Sequence, residues 1–164
     1  MKHTKILFIT RAAMIAALYV VLTYLVNLLG LANGAIQVRI SEALTILPAF
    51  SPAAIPGLFV GCVLSNTLTG CALWDIVFGS LATLIGAVGT YLLRSAKPIL
   101  QPLPPILANT LIIPFVLKYV YGMTDGIPYL MLTVGIGEVI SCGVLGLILH
   151  KVLQPHKDRI FAEE

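Results

Sequence analysis

The sequence predicts an all-α membrane protein of six transmembrane helices with both termini on the cytoplasmic side, and three observations carry that prediction. The first is composition: of 164 residues 59% are hydrophobic and only 10% are charged, with a mean hydropathy of +1.00. A soluble domain carries about a quarter of its residues charged. The second is that the apolar residues fall into runs separated by Gly, Pro and Asn. A span takes about 20 residues, so the chain has room for at most about six or seven. The third is charge placement. With six spans and an inside N-terminus, Lys2, Lys5, Arg11, Arg94, Lys97, Lys151, Lys157 and Arg159 are cytoplasmic and only Arg39 and Lys118 face outward, whereas the inverted topology reverses the ratio. Bases spread in ones and twos exclude a basic nucleic-acid patch, and this hydropathy excludes a disordered chain.

The chain reads as a single integral domain, 1–164, with spans at about 6–29, 40–50, 53–70, 73–94, 105–121 and 127–153. The apolar stretch of the first span, from Ala12 to Leu29, is longer than the core of a cleaved signal peptide, which favours a retained helix. A Gly/Asn loop, Gly30 to Gln37, follows it. Pro48, Pro52 and Pro56 make the second span stop early or tilt. Gly70 and Cys71 turn the third span into the fourth, a proline-rich segment from Arg94 to Pro105 precedes the fifth, and Pro114 predicts a kink within it. Gly122 to Gly126 turn into the sixth.

An ionisable side chain in hydrocarbon costs at least about 2.5 kcal/mol, so each one has a partner, a cavity or a ligand. Glu138 lies about 16 Å along the sixth span, near mid-membrane, flanked by Gly135, Gly137, Gly143 and Gly146. It either hydrogen-bonds a closely packed neighbouring helix or accepts from a bound ligand. Arg39 and Glu42, at i and i+3, are placed to pair where the second span begins, as a structural ion pair or a lid, with Ser41 as N-cap. Trp74 and Asp75 open the fourth span, the tryptophan as an interface aromatic or as a stacking platform beside an acceptor. Asn66 and Asn109 read a polar ligand or serve as interhelical glue worth about 0.6 kcal/mol. Lys118 snorkels to the surface. Ala12, Ala13, Ala16 and Ala17 form two small-xxx-small pairs, a flat stripe for the chain's own bundle or for a partner subunit.

No phosphate-binding lysine loop, HExxH or nucleophile elbow occurs, so no catalytic residue and no enzyme activity are predicted. Cys62, Cys71 and Cys142 show no metal-ligand spacing, which argues against a disulfide framework or a zinc site. Six helices without a detectable inverted repeat make a small secondary transporter. A binding subunit fits better.

Four stretches carry a family resemblance: Ala35 to Pro48, AIQVRISEALTILP; Pro56 to Asn66, PGLFVGCVLSN; Trp74 to Ala87, WDIVFGSLATLIGA; and Ala108–Asn109 with Pro114. They resemble the QueT-type substrate-binding subunits, or S components, of energy-coupling factor (ECF) transporters, which serve uptake of queuosine precursors. The resemblance implies a multi-pass protein of a prokaryotic plasma membrane that takes its small molecule from outside. It also implies that the alanine motif of the first helix docks on a shared transmembrane scaffold driven by two ATPase subunits, so that ATP is used by the partners and no cofactor by this chain. A 7-deazaguanine presents an N1–H beside an exocyclic amine, which a carboxylate accepts as a fork. Glu138 is the first candidate for that edge and Asp75 the second, with Asn66 or Asn109 on the carbonyl and Trp74 on the ring face. The rivals are an S component for a flavin or a pterin, a stand-alone carrier in which Glu138 and Asp75 relay protons, and a structural scaffold.

Overall fold

The computed structural model describes residues 2–30 and 37–161, so most of the Gly30 to Gln37 loop, including Ala35 and Ile36 of the matched string, lies outside the described residues. Every regular element among them is helical. The helices are α1 (Lys2–Leu28), α2 (Ile40–Ala49), α3 (Ala54–Leu68), α4 (Leu73–Leu92), α5 (Leu103–Tyr119) and α6. The last runs through Ile127–Glu138, a π-helical stretch Val139–Leu145 and Gly146–Leu153. Short turns follow at Gln154–His156 and Lys157–Ile160. Each predicted span has its helix, offset by a few residues at most. Among the described residues four stretches, Thr4–Leu28, Leu73–Leu92, Pro98–Tyr119 and Ile127–Ile160, are long and apolar enough to cross a membrane. α2 and α3, with 10 and 15 residues, reach only roughly 20 Å each against a hydrocarbon core of about 30 Å.

α2 is the centre of the bundle. It is a 3-10 helix of ten residues whose Ser41 to Pro48 are all buried, unusual because such runs seldom exceed about four residues. Pro48 lies inside it and the helix ends at Ala49, the early stop that the prolines predict. Its N-cap is Arg39, in extended backbone and without a side-chain cap bond, in place of the Ser41 cap expected. α5 runs unbroken through Pro114. Outward faces are lined by exposed large apolar side chains such as Leu18, Leu25, Ile85, Leu111 and Ile148, as a lipid-facing surface requires.

Close backbone contacts tie the bundle together. Ala12 and Ala16 of α1 meet Gly57 and Gly61 of α3: a Cβ added at Gly57 would stand 2.7 Å from the Ala12 carbonyl oxygen, and one at Gly61 3.1 Å from the Ala16 Cα. Such contacts are how helices associate where lipid is as apolar as their side chains. Ala13 and Ala17 are exposed on α1, about 100° round the helix from that seam. The stripe therefore divides: Ala12 and Ala16 face the chain's own bundle, Ala13 and Ala17 face outward. Between α4 and α5, a Cβ at Gly86 would stand 2.6 Å from Pro105 Cα. Gly86→Ala should therefore force these helices apart and lower stability by about 1–3 kcal/mol. An unchanged melting temperature of the purified variant would show that the contact is looser than this.

Candidate substrate-binding site

Five elements converge on a cavity of about 430 Å³ at the end of the bundle where α1 and α5 terminate and α4 begins, a size suited to one small heterocyclic ligand. α1 supplies Thr23, Val26 and Asn27, and the entry to α2 supplies Gln37, Arg39 and Ser41. Asn66 closes α3, and Thr69, Gly70 and Cys71 form the turn that follows. Gly70 has φ +74°, so the tight turn read from the sequence needs glycine there. Asp75 comes from α4, Ile113 and Leu117 from α5, and Tyr121 and Met123 from the segment beyond it. Polar groups thus share the cavity with Val26, Ile113, Leu117 and Met123, which offer apolar surface.

Asp75 is 6% exposed, and its Oδ2 accepts a 2.8 Å hydrogen bond from the Tyr121 hydroxyl. The same hydroxyl accepts the Ala72 N–H at 3.2 Å, which anchors the tyrosine to the start of α4. Burial pushes the Tyr121 hydroxyl above the usual tyrosine range and the neighbouring Asp75 carboxylate pushes it further, so it stays a donor at physiological pH. A carboxylate offers about four lone-pair sites, and most of those on Asp75 remain for a ligand. Among the described residues the Arg39 guanidinium has no hydrogen bond or ion pair, while its backbone N–H donates to Ser141 Oγ at 3.0 Å. The cavity therefore presents a carboxylate, an unengaged guanidinium and the amide-bearing Asn66.

The other residues singled out in the sequence lie elsewhere. Glu138 and Asn109 do not line the cavity: Asn109 Nδ2 donates to Glu138 Oε2 at 3.3 Å, and both residues are buried between α5 and α6. Glu42 does not pair with Arg39. Helix α2 begins only at Ile40, so Arg39 leaves the helical face that i and i+3 spacing assumes, and Glu42 instead accepts the Tyr19 hydroxyl. Trp74 is 58% exposed and stacks on Phe78 at 5.9 Å, turned away from the cavity that Asp75 enters. Consecutive helical positions point about 100° apart, so one of that pair had to face outward. Lys118, near the end of α5, donates to the carbonyls of Thr124 and Asp125 at 3.2 and 2.9 Å in the exposed turn before α6, which it braces. Tyr121 was not among the sequence candidates. Its signal was weak: an aromatic at the end of a span, just before Gly122.

Three of the four strings that carried the resemblance supply residues to this site: the described part of the first gives Gln37, Arg39 and Ser41, the second ends at Asn66 and the third contributes Asp75. No solved structure matches the chain. A curated protein of Lactococcus lactis subsp. cremoris (strain MG1363), the queuosine precursor transporter QueT, is 38% identical over 86 residues, covering 52% of this chain and 50% of its own. The chain thus matches about half the length of that relative. The family model of the QueT transporter matches residues 9–155. With nearly the whole helical bundle inside that match, the chain belongs to the QueT transporter family.

Proposed function

We propose that this chain is the substrate-capturing membrane subunit of an ATP-driven ECF-type importer, taking up a 7-deazaguanine precursor of queuosine in the plasma membrane of a prokaryote. The reading rests on one observation above all: a cavity of about 430 Å³ that holds Asp75, Arg39 and Asn66 together, in a chain whose family and curated relative are transporters. Asp75 accepts the N1–H and exocyclic amine of the base as a fork. Arg39 donates to the carbonyl edge, Asn66 completes the polar side, and Ile113 and Leu117 cover the ring in place of Trp74. Relative to the order read from the sequence, Asp75 precedes Glu138 because it is the carboxylate that lines the cavity. Six crossings with both termini inside put the cavity on the outer side, where the ligand arrives. The scaffold and two ATPase subunits supply the energy, and exposed Ala13 and Ala17 supply the docking face.

Cys71 lines the cavity, whereas Cys62 and Cys142 are 1% exposed. A maleimide should therefore react first at Cys71, and saturating 7-deazaguanine should slow that reaction at least about tenfold, the change expected from occupying a site at ten or more times its dissociation constant. Protection by riboflavin or a pterin in place of the 7-deazaguanine would shift the substrate to those rings. Protection by none of them would remove the cavity as the binding site. The stand-alone carrier is tested separately: vesicles holding only this chain should show no uptake, and uptake without partners or ATP would overturn the subunit reading.

A further inference from the structure

Beneath the cavity, where α2 crosses the π-helical stretch of α6, Glu42, Glu138 and Cys142 bring one potential ligand atom each to within 4.8 Å of one another, all three side chains buried. Glu138 and Cys142 are i and i+4 on one helix face, and the Cys142 thiol donates to Glu138 Oε2 at 3.2 Å. The third donor arrives from 96 positions earlier in the chain, which is why no metal-ligand spacing shows in the sequence. Glu42 is 1% exposed. One of its oxygens accepts from Tyr19, and the other, Oε2, is buried with no hydrogen-bond partner. A fully buried carboxylate oxygen left bare is the kind of group that normally has an ion or a donor on it.

We propose that this crossing binds a zinc-class divalent cation, with Glu42, Glu138 and the Cys142 thiolate as its protein ligands. The donor set selects the metal: calcium and magnesium take oxygen ligands alone, whereas zinc accepts a thiolate together with carboxylates. In a tetrahedral zinc site, donors at about 2.0–2.3 Å from the metal stand roughly 3.5 Å from each other, and the 3.2 Å between Cys142 Sγ and Glu138 Oε2 is already close to such an edge. Binding displaces the thiol proton to solvent, leaving two carboxylates and one thiolate. The +2 of the cation offsets most of their charge of −3, and the entry to α2 is held to the same stretch of α6 by the Arg39 N–H on Ser141 Oγ. The ion bridges α2 to α6, the two irregular helices of the bundle, and π-helical turns recur at functional sites. This site is separate from the substrate cavity, and the reading of transport does not depend on it.

The test uses the full-length purified protein, stripped with a chelator and titrated with Co²⁺ and with Zn²⁺. One equivalent of Co²⁺ should give a thiolate-to-cobalt charge-transfer band in the near ultraviolet, with release of a proton, and Zn²⁺ should displace it. Cys142→Ser should abolish the band, Glu42→Gln should weaken binding at least about tenfold, the loss that removal of even an outer-shell partner causes, and Cys62→Ser should change neither. Stripped wild-type protein that stays monodisperse and takes up neither metal would overturn the proposal without recourse to any variant. A band that survives in Cys142→Ser, or disappears in Cys62→Ser, would overturn it as well. If only proton uptake is found at the crossing, the two carboxylates share a proton and no metal is held.

Discussion

Leucine at position 16 should stop the bundle from closing, whereas leucine at position 17, one residue along the same helix, should leave folding and ligand binding intact and abolish transport. Ala16 is 6% exposed, and its Cα and carbonyl oxygen both lie 3.1 Å from where a Cβ on Gly61 would stand. A larger side chain at such a contact costs about 1–3 kcal/mol or more through overpacking. Ala17 is exposed, so its substitution meets nothing within the chain. If the outward pair Ala13 and Ala17 is the face that meets a scaffold subunit, Ala17→Leu protein will bind a 7-deazaguanine with wild-type affinity but will neither co-purify with a scaffold nor support ATP-dependent uptake. The measurement is ligand affinity of the isolated variant alongside transport in cells. Normal transport by Ala17→Leu would remove the docking face from the first helix, and a well-folded Ala16→Leu protein would show that the α1–α3 seam is looser than its backbone contacts indicate.

The difference between those two alanines shows what a linear string withholds. Helical periodicity separates 12 and 16 from 13 and 17 by about 100°, so the sequence already required the two pairs to face differently, but which pair meets α3 depends on Gly57 and Gly61, some forty residues away. The helices themselves were legible because apolar runs and their Gly and Pro punctuation are local signals, and all six segments stand where those signals put them. Burial of charge was equally legible: Glu42, Asp75 and Glu138 are all less than a tenth exposed. Who meets whom was not. Spacing suggested Arg39 with Glu42, but Arg39 stands outside the helix in extended backbone, and Glu42 finds Tyr19 from α1 and lies beside Glu138 from α6. Partner choice of this kind is decided by how helices pack, and no local pattern in a 164-residue chain encodes it.

Asp75→Asn should weaken binding of a 7-deazaguanine by about 1.5–3 kcal/mol, the range for a hydrogen bond to a charged group, while Glu138→Gln should change affinity far less. Asparagine keeps the size of the side chain and one carbonyl acceptor. It replaces the second acceptor by an NH₂ donor that points at the N–H groups of the base, so the fork is lost and a repulsive contact takes its place. The Tyr121 hydroxyl, now 2.8 Å from Oδ2, separates a ligand effect from a structural one. Tyr121→Phe removes the support of Asp75 but none of the direct contacts assigned to the base, so its loss should be smaller and should nearly vanish when Asp75 is already asparagine. Glu138 has its own partners, Asn109 at 3.3 Å and Cys142 at 3.2 Å, and its replacement should register in thermal stability before it registers in binding. Calorimetry on the single variants and on the Asp75/Tyr121 double variant decides the matter. If Glu138→Gln loses affinity and Asp75→Asn keeps it, the base reaches below the cavity to α6, and the carboxylate near mid-membrane, not the one at the mouth of α4, reads the guanine edge.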